Sequence, residues 1–151
     1  MYHWFIEKSK PCYEKNILVL CTGNSCRSQI MEGWLRFFGG ENISVKSAGV
    51  ETHGVNPKAI QVMKEAKVDI SSHTSNHINE YLNEDFDLVI TVCDSAKERC
   101  PVFPSSSEKR HHNFLDPAKA EGTEEEILDQ FRDVRDQIKE YSKNLTNEII
   151  T

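Results

Sequence analysis

The stretch Asn16 to Ser28, NILVLCTGNSCRS, limits what this chain can fold into more than any other part of it. Asn16 to Leu20 form a short apolar run of β-formers, and Cys21 stands where that run gives way to polar, glycine-containing sequence. From Ser28 onward, Ile30, Met31, Trp34, Phe37 and Phe38 recur at spacings that suit one face of a helix. The loop from Cys21 to Arg27 therefore joins the carboxyl end of a strand to the amino end of a helix. The first amides of a helix lack intrahelical acceptors and carry the positive end of its dipole, so tetrahedral oxyanions bind there. Gly23 takes backbone angles closed to other residues, and Asn24 tolerates the left-handed region. Together they let the run Thr22, Gly23, Asn24, Ser25 and Cys26 curl its amides inward as a nest. Arg27 adds a planar fork of donors matched to two oxygens of a phosphate-like group. The Cys21 sulfur lies at the centre of this cradle, and the positive field there is expected to lower its pKa from ~8.5 towards neutrality or below. The expectation is a thiolate nucleophile facing a bound oxyanion.

A chain of 151 residues suits one domain with a real core. Residues 1–15 read as an N-terminal arm and residues 16–151 as the single catalytic domain. A net charge of −6 argues against a general nucleic-acid binder, whose footprint is a basic patch. No apolar stretch approaches the ~20 residues of a membrane helix, and the amino terminus lacks the apolar core of a signal peptide, so the cytoplasm is expected. Five cysteines is an odd number, which a fully paired secreted framework avoids. Neither the Cys21/Cys26 nor the Cys93/Cys100 spacing matches a C-x-x-C zinc knuckle, and no histidine pair has the spacing of a metal helix, so no metal is expected. Cys12, beside Pro11, reads as an incidental surface thiol.

Farther along, Gly39-Gly40 stop the first helix and Ile43 to Ala48 read as a second strand. Asn56-Pro57 start a helix with buried positions at Ala59, Ile60, Met63 and Ala66. Val68 to Ser72 read as a linker and His77 to Leu82 as a brief helix. Phe86 to Val92 is nearly all apolar, as a central parallel strand should be. Lys109 to Leu115 read as a fourth strand and Glu124 to Tyr141 as a long amphipathic helix, while Ser105 to Ser107 read as a flexible joint. The alternation predicts an α/β three-layer sandwich with a sheet of about four parallel strands.

The third strand runs straight into Cys93. In an open parallel sheet the ligand crevice lies beyond the carboxyl ends of the strands, so Cys93 can approach Cys21 despite their separation in sequence. Asp116 precedes Pro117, which favours an extended backbone and aims its carboxyl off the end of the fourth strand. Taken singly, Cys93 is a small apolar residue at a strand end, Cys100 a loop thiol and Asp116-Pro117 a turn. Their joint placement around Cys21 makes a chemical site.

Cys21, five residues, Arg27 and Ser28, with Gly23-Asn24 inside, resemble the signature loop of the low-molecular-weight tyrosine phosphatase family. Gln29 stands where the phosphatases usually carry proline. With Ser47-Ala48-Gly49, THGVNPKAI from Thr52 to Ile60, the Cys93/Cys100 pair and Asp116-Pro117-Ala118, it makes Asn16 to Ile138 similar to the thiol-coupled arsenate reductases built on that fold. The resemblance implies that Cys21 attacks arsenate, Asp116 protonates the departing oxygen, and Arg27 with the loop amides stabilises the charge. Cys93 then attacks the Cys21 sulfur and releases arsenite. Cys100 attacks Cys93 in turn, moving the disulfide outward to a thioredoxin or to a glutaredoxin with glutathione. The six residues DSAKER between them are polar enough that they are expected to loop, unwind and let the two sulfurs meet. In the family Ser28 donates to the nucleophile's sulfur, a role compatible with capping the helix, and Asn24 braces the loop. Cys26 reads equally as a buried structural thiol. No bound cofactor is implied. A potassium effect through Asn24, Glu32, Ser47, Thr74 and Asn76 is implied, although Asn76 replaces the usual aspartate. His111-His112-Asn113-Phe114 also depart from members with Trp-Gly after the histidine. The alternative in the same family is a tyrosine phosphatase, which resolves its intermediate with water and needs neither Cys93 nor Cys100. A weak phosphatase activity is implied in either case.

Overall fold

The computed structural model describes residues 15–100 and 107–150. The arm residues 1–14 with Cys12, and Ser105 and Ser106 of the serine joint, lie outside the described residues. Four parallel strands form one sheet: β1 (Lys15–Cys21), β2 (Ile43–Gly49), β3 (Leu88–Thr91) and β4 (Glu108–His111), in the order β2-β1-β3-β4. Lys15, assigned to the arm from sequence, is the first residue of β1 and pairs with Ile43. The central strands are covered on both faces, which is why Ile17 to Leu20 and Leu88 to Ile90 read as unbroken apolar runs. Glu108 to His111 form the polar edge, where charged side chains oppose pairing with another chain.

Helix α1 (Arg27–Gly39) buries Ile30, Met31, Trp34 and Leu35. It stops at Gly40, whose φ of +53° suits glycine. Helix α2 (Pro57–Glu65) starts as expected, with Pro57 at its first position and the Asn56 side chain accepting from the Lys58 amide. The expected brief helix is a 3-10 helix at Ile78–Tyr81, capped by His77 and Leu82 and closed by a reciprocal His77/Glu80 capping box. The last helix, α4 (Glu124–Ile150), packs on α1 and α2. It runs nine residues past Tyr141 because Leu145 and Thr146 continue the buried face, the Thr146 hydroxyl being satisfied by the Ser142 carbonyl at 2.7 Å.

Two sequence readings are corrected. DSAKER is no loop but helix α3 (Asp94–Arg99), lying against β1 and β3. Cys93 caps it by accepting from the Ala96 amide, Asp94 sits in its first turn, and Lys97 and Arg99 sit in its last, so its charges complement the helix dipole. The fourth strand ends at His111 rather than Leu115. His112 and Phe114 still donate backbone bonds to Thr91 and Val92, and the chain then runs out to Asp116.

β1 connects outward to β2, and the chain then crosses back to β3 on the other side of β1. The order of connection thus reverses between β1 and β3, and in such sheets the crevice opens there. Leu20 pairs with Thr91 in register, so Cys21 and Cys93 emerge side by side.

Candidate active site

Cys21 ends β1, and Thr22 to Cys26 lead into α1. The loop is shaped by where its carbonyls go. Those of Thr22, Gly23 and Ser25 accept from the amides of Glu51, His53 and Asn56, at 2.9, 3.0 and 3.0 Å, and that of Asn24 accepts from the Gln29 side chain at 3.1 Å. In a trans peptide the C=O and the following N–H point opposite ways, so carbonyls strapped outward leave the next amides facing the pocket. Asn24 takes φ of +49° and is fully buried. Its side chain donates to Ser28 and Ser47, each at 2.9 Å, and accepts from the Asn76 amide at 2.7 Å. This is the bracing role expected of it.

The pocket, about 260 Å³, is lined by Cys21, Thr22, Gly23, Ser25, Cys26 and Arg27, with His53, Asp116, Ala118 and Lys119 across its mouth. It is small beside the ~300–1,000 Å³ of organic-ligand pockets, which suits a compact anion. A larger cavity of about 550 Å³ is lined by Glu32, Arg36, Lys46, His73 and Asn76 among others, but none of its lining residues is a cysteine, so the chemistry belongs to the smaller one.

Arg27 is held by Nη1, which donates to the Phe114 carbonyl at 3.0 Å, while Nη2 lies 3.5 Å from Asp116 Oδ2. Its Nε is buried and has no partner among the described residues, leaving donor capacity for an anion. Asp116 accepts from the Ala118 amide through Oδ1, which turns Oδ2 towards Arg27. Ser28 lies inside the first turn of α1 rather than at its cap, which falls on Cys26. Its hydroxyl receives Asn24, and it is the Ser28 backbone amide that donates to Cys21.

The thiols of Cys21 and Cys93 hydrogen-bond one another, and the Thr22 hydroxyl lies 3.1 Å from the Cys93 sulfur. Their charge is distributed differently from expectation. The bond to Cys93, and then burial, push the Cys21 thiol up, against Arg27 and the Ser28 amide, which favour its thiolate. Donation from Cys21, then from Thr22 and the Ala96 amide, brings Cys93 down to about 5 despite its burial. These contacts favour the thiolate on Cys93 over the thiolate on Cys21. Burial pushes Cys26 up to about 12, which leaves it an inert structural thiol. Cys100 sits at the far end of α3, half-buried and with its pKa raised by that burial, so the structure does not bring it to Cys93.

The five residues of the implied potassium set are neighbours, but they satisfy one another. Ser47 donates to Glu32 at 2.5 Å, Thr74 donates to Asn76 at 2.7 Å, and Arg36 already lies 2.9 Å from Glu32 as its counter-charge. Sequence reading named Gly49 only as part of Ser47-Ala48-Gly49 and passed over the closeness of its α-carbon to the loop backbone, as well as the Phe114 carbonyl that fixes Arg27. Ser47-Ala48-Gly49 was a signal for the first, whereas a backbone carbonyl leaves none.

A strand, an anion-binding loop carrying a cysteine, and a helix, with an arginine and an aspartate across the pocket, define an oxyanion-handling thiol site. The chain matches the low molecular weight phosphotyrosine protein phosphatase family over residues 16–151 and belongs to it. It is 53% identical over 125 residues to an arsenate reductase of Halalkalibacterium halodurans, covering 83% of this chain and 90% of that protein. Against an arsenate reductase of Staphylococcus aureus it is 50% identical over 126 residues, covering 83% and 92%. Among solved structures, an arsenate reductase in the phosphate binding state superposes with a TM-score of 0.73 at 35% identity, covering 89% of this chain and 98% of that one. An arsenate reductase in the oxidized state gives 0.78 at 33% identity with the same coverage. A low molecular weight protein tyrosine phosphatase from T. tengcongensis, 22% identical with a TM-score of 0.75, shares the fold.

Proposed function

We propose that this chain is a thiol-dependent arsenate reductase working in the cytoplasm, with thioredoxin or glutaredoxin as its reductant. The observation that carries this reading is the direct contact of the Cys21 and Cys93 thiols beside the anion pocket. A phosphatase needs no second thiol there, whereas a reductase needs two electrons from a thiol pair.

Arsenate enters the cradle of loop amides and the Arg27 fork. Proton transfer from Cys21 to Cys93 along their shared hydrogen bond puts the thiolate on Cys21, where Arg27 and the Ser28 amide stabilise it. Cys21 attacks arsenic, and an oxygen leaves as water with a proton from Asp116. Cys93 returns its proton to solvent and attacks the Cys21 sulfur. The S–S bond forms, the S–As bond breaks, and its electron pair stays on arsenic, which leaves as arsenite. Cys100 then attacks Cys93, freeing the Cys21 thiolate and leaving a Cys93–Cys100 disulfide for the external dithiol. That last exchange needs α3 to unwind.

The test is arsenite formation from arsenate with thioredoxin, thioredoxin reductase and NADPH, or with glutathione and glutaredoxin. Turnover is expected with one of these systems and is expected to stop in Cys21→Ser, Cys93→Ser and Cys100→Ser. Multiple turnover by Cys93→Ser would overturn the relay.

A further inference from the structure

Helix α3 keeps the last two sulfurs of the proposed relay apart. Seven residue steps from Cys93 to Cys100 amount to ~10 Å along a helix, whereas a disulfide needs Cα atoms within about 7 Å. A helix this short has little stability of its own, so whatever holds its two ends sets how readily it opens.

Both ends are tied by residues outside the helix and outside the relay. At the start, Asp94 Oδ1 lies 2.8 Å from His111 Nε2, and the Asp94 amide donates to Asn113 Oδ1 at 3.2 Å. The His111 ring is fixed from its other side, Nδ1 lying 2.7 Å from the hydroxyl of buried Thr91. At the end, Arg99 Nη1 donates to Glu51 Oε2 at 3.2 Å, and Glu51 Oε1 lies 2.9 Å from His53 Nε2. Arg99, and then His53, hold the Glu51 carboxyl below its ordinary range. Glu51 and His53 are the residues whose amides strap the Thr22 and Gly23 carbonyls, so this tie is anchored on the anion loop itself. Joining the sulfurs requires either Cys93 to leave the start of α3, which breaks the Asp94 contacts, or Cys100 to swing towards β3, which pulls Arg99 from Glu51.

We propose that His111, holding Asp94, and Glu51, holding Arg99, form a two-ended latch on α3 that sets how readily Cys93 and Cys100 join. Both act as positioning residues, touching neither the anion nor the reacting sulfurs. The latch rests on the relay reading above. Contacts present in the dithiol and lost in the disulfide stabilise the dithiol, so removing them shifts the pair towards the disulfide.

The test uses the full chain carrying Cys21→Ser, equilibrated in buffers of reduced and oxidised glutathione, with the Cys93–Cys100 disulfide quantified by thiol alkylation and peptide mapping. His111→Ala and Glu51→Ala leave the sequence of α3 untouched. Each is expected to raise the disulfide-to-dithiol ratio about two- to fivefold, as partly exposed pairs allow. Together they are expected to raise it about tenfold, or ~30 mV. Amide exchange over 94–100 should quicken in the double variant. Glu65→Gln, which breaks a separate exposed pair with Arg132, should leave the ratio within twofold of the parent. A double variant that matches the parent, or a Glu65→Gln shift as large as the double variant's, would overturn the latch. Absence of any Cys93–Cys100 disulfide in the parent at every buffer ratio would overturn the relay and the latch with it.

Discussion

Cys21 and Cys93 stand at the carboxyl ends of neighbouring parallel strands, where each thiol is the largest influence on the other's ionisation. Burial makes two adjacent thiolates costly, so the pair holds one proton between two sulfurs. Donation from Cys21, and then from the Thr22 hydroxyl and the Ala96 amide, favours the Cys93 thiolate.

This arrangement has a spectroscopic consequence. With Cys93 lowered to about 5, its thiolate is present above that pH and is lost as the pH falls through it. Thiolate absorbance near 240 nm should therefore show a step centred at about pH 5 in the parent. Cys93→Ser should lack this step, and it should also be lost in Cys21→Ser, which removes the donor that contributes most to the lowering. A step unchanged in Cys93→Ser would assign the thiolate elsewhere.

The relay fixes a stoichiometry as well as a rate. In Cys100→Ser, the Cys21–Cys93 disulfide forms once and then stalls, so one arsenite per protein is expected from arsenate without reductant. Cys93→Ser stops a step earlier and should release none. Both variants keep the loop and Arg27, so each should show the weak p-nitrophenyl phosphate hydrolysis expected of the parent to within about threefold, ~0.7 kcal/mol in the barrier. Rapid quench followed by arsenite assay reads the first two outcomes and a phosphatase assay the third.

The cysteine at the end of β1, the loop after it and the apolar central strands were legible in the sequence because each is a local pattern. A run of β-formers, a Gly-Asn pair and a helical stripe need only neighbours. The meeting of Cys21 with Cys93 was legible too, since parallel topology brings strand ends together whatever lies between them. The proton's position was not. It depends on Cys21, and then on Thr22 and the Ala96 amide, converging on Cys93, and none of them is adjacent to it in sequence. The DSAKER helix was missed for the converse reason, since a polar six-residue segment has no apolar period. Its cap comes from the Cys93 sulfur, which sequence reading had assigned to chemistry alone.

Asn24 is the keystone of the anion loop, and its substitution should show in stability. It is fully buried, and its amide group serves Ser28, Ser47 and the Asn76 amide at once. Asn24→Ala strands those partners and leaves a non-glycine residue at φ of +49°, so a loss of about 3 kcal/mol is expected. Asn24→Gly relieves the backbone and should still lose about 2 kcal/mol. Urea unfolding midpoints at constant m-value check both, and a loss under about 0.5 kcal/mol in Asn24→Ala would deny the bracing role.

Gly49 ends β2 opposite Cys21 in the sheet register, and its importance comes from closeness rather than from φ. A Cβ built there meets the Glu51 carbonyl oxygen at 2.4 Å, and the Asn24 nitrogen and Thr22 carbonyl oxygen at 2.7 Å each. All three are backbone atoms, two of them in the anion loop itself, so the clash cannot be relieved by rotating a side chain. Gly49→Ala must push the loop off β2 and disturb the Glu51-to-Thr22 strap, at about 1–3 kcal/mol of stability. Because the loop amides aim at the anion, inorganic phosphate should bind at least tenfold more weakly by calorimetry. Gly40→Ala is the matched control. It strains a residue at φ of +53° with open space around it, so it should cost about 1 kcal/mol while leaving phosphate affinity within twofold. Equal losses of phosphate affinity in the two variants would mean that general destabilisation, and not the contact of Gly49 with the loop, governs the site.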